Sequence, residues 1–511
     1  MTRGNRLIQA LTVLLLAPLV VVVTAPLHSN TTEWAFVVRE LLPSHLKETG
    51  LLLTIAVLLA AVLGTGSAWL VSAFDFPGRD LFRWALVLPL ALPTYISAIT
   101  FASLFGPTGS LRLRLGLPFD VVNLPGLAVV FALVLYPYVY LPARAAFSTG
   151  MSAQLDAARM LGGGALRRFL RIAAPLARPA IAGGAFLVAM EVLNDYGAVK
   201  YYGVHTLTAG IFRSWGGLYD VGSALRLSGL LLALVLLLIW IEGRIRRNAL
   251  HSTANRASER AKLKGWRSAA AAVACSILLF AAFLLPAGAI VRDAFRTADL
   301  SQFAQVLPAL ANTLFVGTIS AALTLAFAVL LAYHERYQRQ SSRLARWAGI
   351  GYAVPGAVIA LGVMALAGWI GERTGIILIG TIGLLAYAFS VRFLALAGQP
   401  LRAGLAQQQR SLDESARMLG ASPLRTFMSV NMPLLRPALI AAALLVLMEV
   451  VKELPLTMIL RPFDFDTLST RVFELARIEQ WPDAALPALL IVLCGLVPVL
   501  LLDRLLDRAR S

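Results

Sequence analysis

The sequence has few charged residues: Asp, Glu, Lys and Arg make up 14% of its 511 residues, whereas hydrophobic residues make up 59%. Soluble domains average about 25% charged residues, so this composition excludes a soluble protein of this length. Several apolar runs exceed the roughly 20 residues that cross a bilayer as a helix. The runs do not alternate between apolar and polar residues, as the strands of a membrane barrel do. The sequence therefore predicts an all-α polytopic membrane protein whose spans satisfy their own backbone hydrogen bonds.

Residues that form cross-links, metal sites and nucleotide sites are also scarce. The two cysteines, Cys275 and Cys494, each lie in an apolar run, so no disulfide framework is expected. The five histidines are scattered, and no pair of them forms a metal-binding pattern. No GxxxxGK(S/T) sequence is present to hold the phosphates of ATP. The chain also has no Ser/His, Asp/Asp or His-cluster arrangement in a membrane setting, which disfavours an intramembrane enzyme.

The net charge of +18 comes from Lys and Arg residues that lie between the apolar runs. This distribution is typical of cytoplasmic loops, and no nucleic-acid partner is expected. The basic positions are Arg3 and Arg6, Arg79 and Arg83, the segment Arg144–Arg178, the central segment 244–267, Arg336–Arg346 and Arg504–Arg510. All of them fall on one side of the membrane if both termini are cytoplasmic. We therefore predict a multi-pass protein with both termini in the cytoplasm.

The apolar runs predict about twelve spans, six in each half of the chain. They lie at about 7–27, 50–74, 84–105, 124–147, 180–200, 220–242, 268–291, 309–333, 347–371, 376–398, 438–460 and 485–503. The predicted organisation is a first half at 1–243, a basic cytoplasmic linker at 244–267 and a second half at 268–511. Six spans in each half give the halves the same orientation, which makes them a parallel repeat.

A polar loop occurs once in each half, within about 150–179 and about 400–437. Asp156-Ala157-Ala158 precedes Gly162, and Glu414-Ser415-Ala416 precedes Gly420 with the same spacing, 258 positions (420 − 162) later. Each copy predicts a short helix with its acid near the helix start, a glycine turn and a second helix.

Pro175 and Pro433 follow at the same separation and are expected to redirect the chain into the next span. A single copy of this loop could be an amphipathic connector on the membrane surface. Two copies at a fixed spacing instead favour a docking site for a twofold partner on the cytoplasmic side.

Each loop is followed by two acids inside a predicted span. The four acids, again 258 positions apart, are Glu191, Asp195, Glu449 and Glu453. Residues four apart share one face of a helix. An ionised side chain in a span costs on the order of 3 kcal/mol or more, so such residues usually face a polar interior. We therefore expect these acids to line a translocation pathway between the halves; the alternative is a structural network neutralised by Lys200 or Lys452.

The repeated loop resembles the cytoplasmic loop of binding-protein-dependent ABC importer permeases, whose pattern is Glu-Ala-Ala, three residues, Gly, nine residues and Ile-x-Leu-Pro. The departures from that pattern are Asp156, Ala174, Ser415, Val430 and Met432. The resemblance implies the type I ABC importer permease fold, with about twelve helices in two parallel six-helix repeats. It also implies that both loops couple the spans to an ATPase.

In such a system this chain would be a transport subunit of the bacterial inner membrane and not an enzyme. ATP and Mg would be bound by two copies of a separate cytoplasmic ATPase subunit, and a periplasmic binding protein would deliver the solute. This chain would bind no cofactor of its own.

Three stretches resemble one branch of that family, the fused two-half permeases of ferric iron importers. They are "NDYGAVKYYGV", "TAGIFRSW" and "KELPLTMILRPFDFDTLSTRVFELA". The resemblance implies iron(III) as the substrate, an iron-binding periplasmic protein as a partner, and transient iron contacts at Glu191 and Glu449. Ferric iron is a hard cation that prefers oxygen ligands, which suits an acidic path.

Other readings of the sequence stay open. A permease of the same machinery could carry thiamine, a polyamine or a phosphonate. A twelve-span secondary transporter also has two parallel six-span halves, and its intramembrane acids would be proton relays. The paired loops argue against that transporter, because a gradient-driven carrier has no ATPase to dock.

Overall fold

The computed structural model describes residues 3–24, 33–116, 118, 120–149, 164–247, 260–297, 299–337 and 349–508. These residues are predominantly helical, as the composition predicts. Two strands of two residues each, Phe74–Asp75 and Ala261–Lys262, pair in parallel.

The helices of the first half include π-helical turns and a 3-10 turn. In chain order they are Arg3–Thr24, Glu33–Phe36, Val37–Leu41 (π), Leu42–Ala73, Arg79–Ala85, Leu88–Ala91 (3-10), Thr94–Phe105, Ser110–Leu115, Leu124–Thr149, Ala165–Arg168, Phe169–Ala173 (π), Ala174–Leu176, Arg178–Asn194, Gly197–Tyr201, Leu207–Phe212, Arg213–Gly217 (π) and Val221–Arg247.

The second half has a similar order of helices. They are Trp266–Leu279, Phe280–Leu284 (π), Leu285–Thr297, Leu300–Tyr337, Gly349–Ala353 (3-10), Gly356–Thr374, Ile382–Gln407, Arg410–Met418, Pro423–Thr426, Phe427–Asn431 (π), Met432–Leu434, Arg436–Lys452, Pro455–Leu460, Leu468–Arg477 and Trp481–Arg508.

The chain forms two compact units. Unit 1 comprises Met1–Ala35, Ile211–Leu232 and Thr297–Ser511, and unit 2 comprises Phe36–Gly210 and Ala233–Arg296. In unit 1 the first helix of the chain packs on Gly356–Thr374. In unit 2 the helix Trp266–Leu279 packs on Arg79–Ala85. The units therefore differ from the two sequence repeats, because each unit contains the first helix of the other repeat.

Each predicted span overlaps one or more helices of the described residues, but the number of spans is not confirmed as twelve. Among the described residues, seven helices are long and apolar enough to cross a membrane, or up to ten if each of three bent pairs is one span. The first and last predicted spans correspond to the shorter apolar helices Gln9–Thr24 and Trp481–Leu496.

Three predicted spans are bent or shortened. In place of a straight span at 84–105, Arg79–Ala91 and Thr94–Leu115 meet at 92°. Pro93 disfavours a helical conformation at the residue before it, and Leu92 is extended there. In the predicted spans 180–200 and 438–460 the long helix ends early, at Asn194 and at Lys452. The residue that follows, Asp195 or Glu453, has an extended backbone.

Glycines allow helices of the same unit to approach closely. A Cβ atom at Gly64 would lie 2.6 Å from the carbonyl oxygen of Tyr136, and one at Gly184 would lie 2.6 Å from that of Tyr138. The helices Leu42–Ala73 and Arg178–Asn194 thus both pack with a small residue against Leu124–Thr149. Small residues at such contacts are how membrane helices gain van der Waals packing where lipid removes the hydrophobic driving force.

Gly64→Ala is therefore expected to destabilise unit 2 by about 1–3 kcal/mol, because the added methyl group has no room. The measurement is the unfolding midpoint of the detergent-solubilised protein. Gly66→Ala is the matched control, since Gly66 is on the same helix and a Cβ there meets nothing within 4 Å. Equal midpoints for the two variants would contradict the close approach.

Candidate functional site

The second copy of the repeated loop contains the predicted helix and glycine turn. The helix Arg410–Met418, which we call the loop helix, is followed by Leu419 and by Gly420 with φ of +81°. The amide of Ala421 donates to the carbonyl of Ala416 at 3.0 Å, and the amide of Gly420 donates to the carbonyl of Arg417 at 2.9 Å. These two bonds form a Schellman motif, which needs a residue with positive φ. The first copy, with Asp156, Ala157, Ala158 and Gly162, lies outside the described residues.

The acid in the first turn of the loop helix is Asp413, and Glu414, the acid expected near the helix start, follows it directly. Asp413 is buried, whereas Glu414 and Ser415 are exposed and Ala416 is half-buried. At the end of the helix Met418 and Leu419 are 90% and 88% exposed. The loop helix thus presents two large apolar side chains beside an exposed acid.

After the glycine turn the chain runs through a second helical segment into the next span. Pro423–Leu434 and Arg436–Lys452 meet at 73°, and Leu166–Leu176 and Arg178–Asn194 of the first half meet at the same angle. The predicted redirection after the prolines is therefore confirmed in both halves.

A polar cluster holds the loop helix in place. It consists of Arg336, Tyr337, Gln408, Asp413 and Asn431. Arg336 Nε donates to Asp413 Oδ2 at 2.8 Å, and its Nη1 donates to the carbonyl of Leu405 at 2.8 Å. Asn431 Nδ2 donates to Asp413 Oδ1 at 3.0 Å and to Gln408 Oε1 at 2.9 Å. The Tyr337 hydroxyl donates to Asn431 Oδ1 at 2.9 Å.

The polar cluster keeps Asp413 ionised. Burial would raise the pKa of this carboxyl, but hydrogen bonds from Arg336, Asn431 and Tyr337 and the charge of Arg336 outweigh it, so the pKa lies below its ordinary value. A lowered pKa means that the pairing contributes stability at neutral pH and loses it only as the pH falls through that pKa.

An aromatic contact anchors the segment after each loop. Phe427, the first residue of a π-helical turn, is 5.1 Å from Tyr333, measured between ring centroids, and packs with the buried Leu405 and Leu435. The matching residue 258 positions earlier is Phe169, which also begins a π-helical turn.

Phe169 lies 5.5 Å from Trp69 and 6.5 Å from Phe147, measured between ring centroids. The three rings form an aromatic cluster at the ends of their helices in unit 2. Both copies of the loop are thus anchored through one phenylalanine, which the sequence analysis did not single out although it repeats with the same 258-residue separation.

Asp195, the second acid of the first half, is 5% exposed and lies in a break between two helices. Its backbone is extended, with φ of −71° and ψ of 126°. Asp195 Oδ1 accepts a hydrogen bond from the amide of Ala198 at 2.7 Å, and Oδ2 accepts one from the Thr94 hydroxyl. The carboxylate therefore caps the short helix Gly197–Tyr201.

Glu453 has the same place in the second half and is also 5% exposed. Its Oε1 accepts a hydrogen bond from the amide of Leu456 at 3.1 Å and pairs with Arg392 Nη1 at 3.0 Å. A Cβ atom on Gly356 would collide with both charged groups. The glycine at 356 thus makes room for a buried ion pair, whereas the acid of the first half takes a hydrogen bond from a threonine.

The other two acids, Glu191 and Glu449, lie one helical turn earlier in the chain and are less enclosed. Glu191 is half-buried and accepts a hydrogen bond from the Tyr138 hydroxyl at 3.2 Å. The side chain of Glu449 is 22% exposed, and its Oε1 is 3.8 Å from Lys452 Nζ. The four predicted acids therefore form two types: two that cap helix breaks and two that remain accessible.

Within the part of the chain that the structure describes, no group of three or more His, Cys, Asp or Glu side chains is arranged to hold a metal ion.

Two residues that fix the site, Asp413 and Arg392, do not stand out in the repeated motifs. Asp413 lies directly before the predicted Glu414, and Arg392 is the single charge in the stretch "LLAYAFSVRFLALAG". An isolated arginine in an apolar run signals a buried partner, because the membrane interior does not tolerate an unpaired charge.

The sequence matches the family described as "Binding-protein-dependent transport system inner membrane component" at residues 60–241 and again at 300–511. The two matches fall one in each predicted half. They independently support the parallel repeat inferred from the loops.

Similar proteins include three transport permeases. The Fe(3+)-transport system permease protein FbpB 2 of Haemophilus influenzae is 27% identical over 475 residues, which is 90% of each chain. The sulfate transport system permease protein CysT of Salmonella typhimurium is 29% identical over 39% of this chain and 72% of its own length. A probable molybdenum ABC transporter permease protein of Haloferax volcanii is 31% identical over 29% of this chain and 56% of its own length.

The buried ion pair gives a testable prediction. Arg392→Leu is expected to destabilise the protein by about 3–5 kcal/mol, because it leaves the Glu453 carboxylate buried without its cation. The double variant Arg392→Leu/Glu453→Gln should recover most of that loss, since the neutral amide side chain can still accept a hydrogen bond from the amide of Leu456. The measurement is the unfolding midpoint in detergent, and a double variant as unstable as the single one would contradict the pairing.

Proposed function

The chain belongs to the family of binding-protein-dependent transport system inner membrane components, and we propose that, as the permease of an ABC importer, it carries ferric iron into the cytoplasm. The observation that carries the iron assignment is the similarity to a ferric iron permease along 90% of both chains, through both halves. The stretches that resemble ferric iron permeases include Asp195, Glu453 and the two helix breaks. A periplasmic iron-binding protein would deliver the cargo.

Sulfate or molybdate is the second candidate cargo, because permeases named for sulfate and molybdenum are also similar. Each of those similarities covers 39% of this chain or less. On the proposed pathway the carboxylates would repel an oxyanion, whereas their oxygens would attract a hard cation. Charge and coverage thus both favour the cation.

We assign Glu191 and Glu449 to the translocation pathway, where they contact the cargo transiently. Both are accessible, and both hold the same place in their repeat. Asp195 and Glu453 keep the helix breaks in place and thereby position the accessible acids one turn away. Open backbone at membrane depth requires such capping groups, since lipid offers no hydrogen bonds.

The two repeated loops dock two copies of a cytoplasmic ATPase, one on each loop. Support comes from the exposed apolar end of the loop helix, Met418 and Leu419, beside the exposed Glu414. ATP and Mg would act on those partner subunits. The loops can transmit closure of the ATPase only if they contact it differently in its two states.

Both termini lie in the cytoplasm in this proposal, on the side of the loops. The support is a contact between two basic segments of unit 2: the amide of Leu263 donates to the carbonyl of Asp75 at 3.1 Å. Leu263 belongs to the central linker, and Asp75 precedes Arg79. The positive-inside rule places both segments in the cytoplasm.

Met418→Asp/Leu419→Asp is expected to abolish co-purification of the ATPase, because the charges prevent burial of this apolar surface. The measurement is the amount of ATPase recovered with the tagged permease, relative to wild type. Phe463→Asp is the matched control, since Phe463 is fully exposed on a loop elsewhere in unit 1. Equal ATPase recovery with all three proteins would contradict the docking assignment.

Glu449→Gln is expected to lower uptake of radioactive iron(III) by roughly tenfold, which corresponds to ~1.4 kcal/mol of barrier. Uptake falls because the carboxylate that attracts the cation is removed, whereas the positive charge of Lys452 stays nearby. Glu372→Gln, a change at an exposed acid, is the control.

Sulfate and molybdate uptake are measured in the same vesicles, with the partner ATPase and binding protein present. Iron uptake that Glu449→Gln leaves unchanged would return Glu449 to a structural role. Uptake of sulfate or molybdate without iron would overturn the iron assignment.

A further inference from the structure

We propose that Arg336 and Asp413 form a charge lock, the ion pair through which the second ATPase-docking loop transmits its movement to the membrane helices. This inference rests on the proposed docking of the ATPase and goes beyond it, because neither residue faces the docking surface. In this role both are positioning residues: they act through the loop helix and not on the cargo or the ATPase.

Arg336 is the last residue but one of the long helix Leu300–Tyr337. Its guanidinium donates to the carbonyl of Leu405, near the end of Ile382–Gln407, and to the carboxylate of Asp413 in the loop helix. One side chain therefore joins the ends of two membrane helices to the loop helix.

The lock also reaches the segment leading into the next span. Asn431 donates to both Asp413 and Gln408, and its own side-chain oxygen accepts from Tyr337. Asn431 ends the π-helical turn that precedes Arg436–Lys452. A displacement of the loop helix must either move these helix ends together or break several hydrogen bonds at once.

The pair is largely buried. The side chains of Arg336 and Asp413 are 9% and 10% exposed, so water does not replace the pair when it separates. A second ion pair, Arg402 with Glu335 at 3.3 Å, joins the same two membrane helices, but its side chains are 42% and 24% exposed. That pair does not include the loop helix. Exposed pairs contribute little, whereas breaking a buried pair is costly.

The sequence carries the lock in one repeat only. At the separation of 258 residues, Leu155 stands where the second half has Asp413, and Ala173 stands where it has Asn431. Ala173 is fully buried, in the turn that begins with Phe169 of the aromatic cluster. The two repeats therefore differ in sequence at both positions where the second has a polar residue of the cluster.

The test uses the full complex of permease, ATPase and binding protein in proteoliposomes. The variants are Asp413→Asn, Arg336→Met and the charge exchange Arg336→Asp/Asp413→Arg, with Glu335→Gln as the matched control. ATPase co-purification, ATP hydrolysis and uptake of iron(III) are measured separately. Because the docking surface is intact, the ATPase should stay bound and hydrolyse ATP.

The expected result is a fall of roughly fivefold or more in iron carried per ATP for both single variants, and no change for Glu335→Gln; fivefold is the lower end of typical coupling between sites. The charge exchange should restore part of the loss. Unchanged coupling in Asp413→Asn and Arg336→Met, or an equal fall in the control, would overturn the lock.

A structural readout separates this proposal from the assigned function. Spin labels are placed at Ser411 on the loop helix and at Thr318 on Leu300–Tyr337, both exposed, after replacement of Cys275 and Cys494. Asp413→Asn should broaden the distance distribution between the labels; an unchanged distribution would overturn the lock even if Arg336→Met failed to fold. A wild-type complex without ATPase or iron uptake would instead overturn the assigned function, while the distances still decide whether the pair holds the loop helix.

Discussion

The structure depends on how the chain satisfies backbone groups where its helices stop. Lipid offers no hydrogen bonds, so each helix end at membrane depth needs a side chain or another backbone group as its partner. Asp195 and Glu453 supply acceptors at two breaks, and Arg336 supplies a donor at the end of Ile382–Gln407. These three charged side chains are therefore placed where helices begin or end.

The two halves meet that constraint with the same backbone and different chemistry. At the break of the first half, Thr94 donates to Asp195. At the break of the second half, Gly356 leaves space for Arg392 to pair with Glu453. A repeat that has duplicated its backbone can thus diverge in charge without losing the break itself, because the carboxylate caps the following helix in both cases.

The segments that follow the two loops also share a backbone and differ in side-chain chemistry. Phe169 lies among Trp69 and Phe147, whereas Phe427 lies beside the polar cluster built around Asp413. The backbone path is shared, since both phenylalanines begin a π-helical turn and both following helices bend by 73°. The segments that follow the two loops therefore share a backbone path and differ in their side-chain contacts.

Much of this arrangement could be predicted from local patterns in the sequence. The glycine turn at Gly420 and the bends after the prolines follow from backbone preferences that act within a few residues. The breaks near Gly197 and Pro455 have the same origin. The burial of Asp413 could not be predicted in this way, because it depends on where the loop helix begins, and Gln409 before it offers no side-chain cap.

Contacts between residues that are far apart in the sequence could not be predicted either. Arg392 and Glu453 are 61 positions apart, and Arg336 and Asp413 are 77 positions apart. An apolar run shows that its single arginine needs a partner, but not which of several acids supplies it. The bend at Pro93 was missed because the run at 84–105 has no charged residue and hydropathy does not register a change of direction.

The loops and the accessible acids are connected by one continuous segment in each half. In the second half the loop helix leads through the bend at Leu435 into Arg436–Lys452, which carries Glu449. At 1.5 Å per residue, Glu449 lies roughly 20 Å along that helix from the bend. In the first half Arg178–Asn194 carries Glu191 in the same way. A helix of this length moves as a rigid body, so a rotation imposed at its loop end displaces its acid without any further relay. The capped break directly beyond each acid separates this helix from the short helix that follows it.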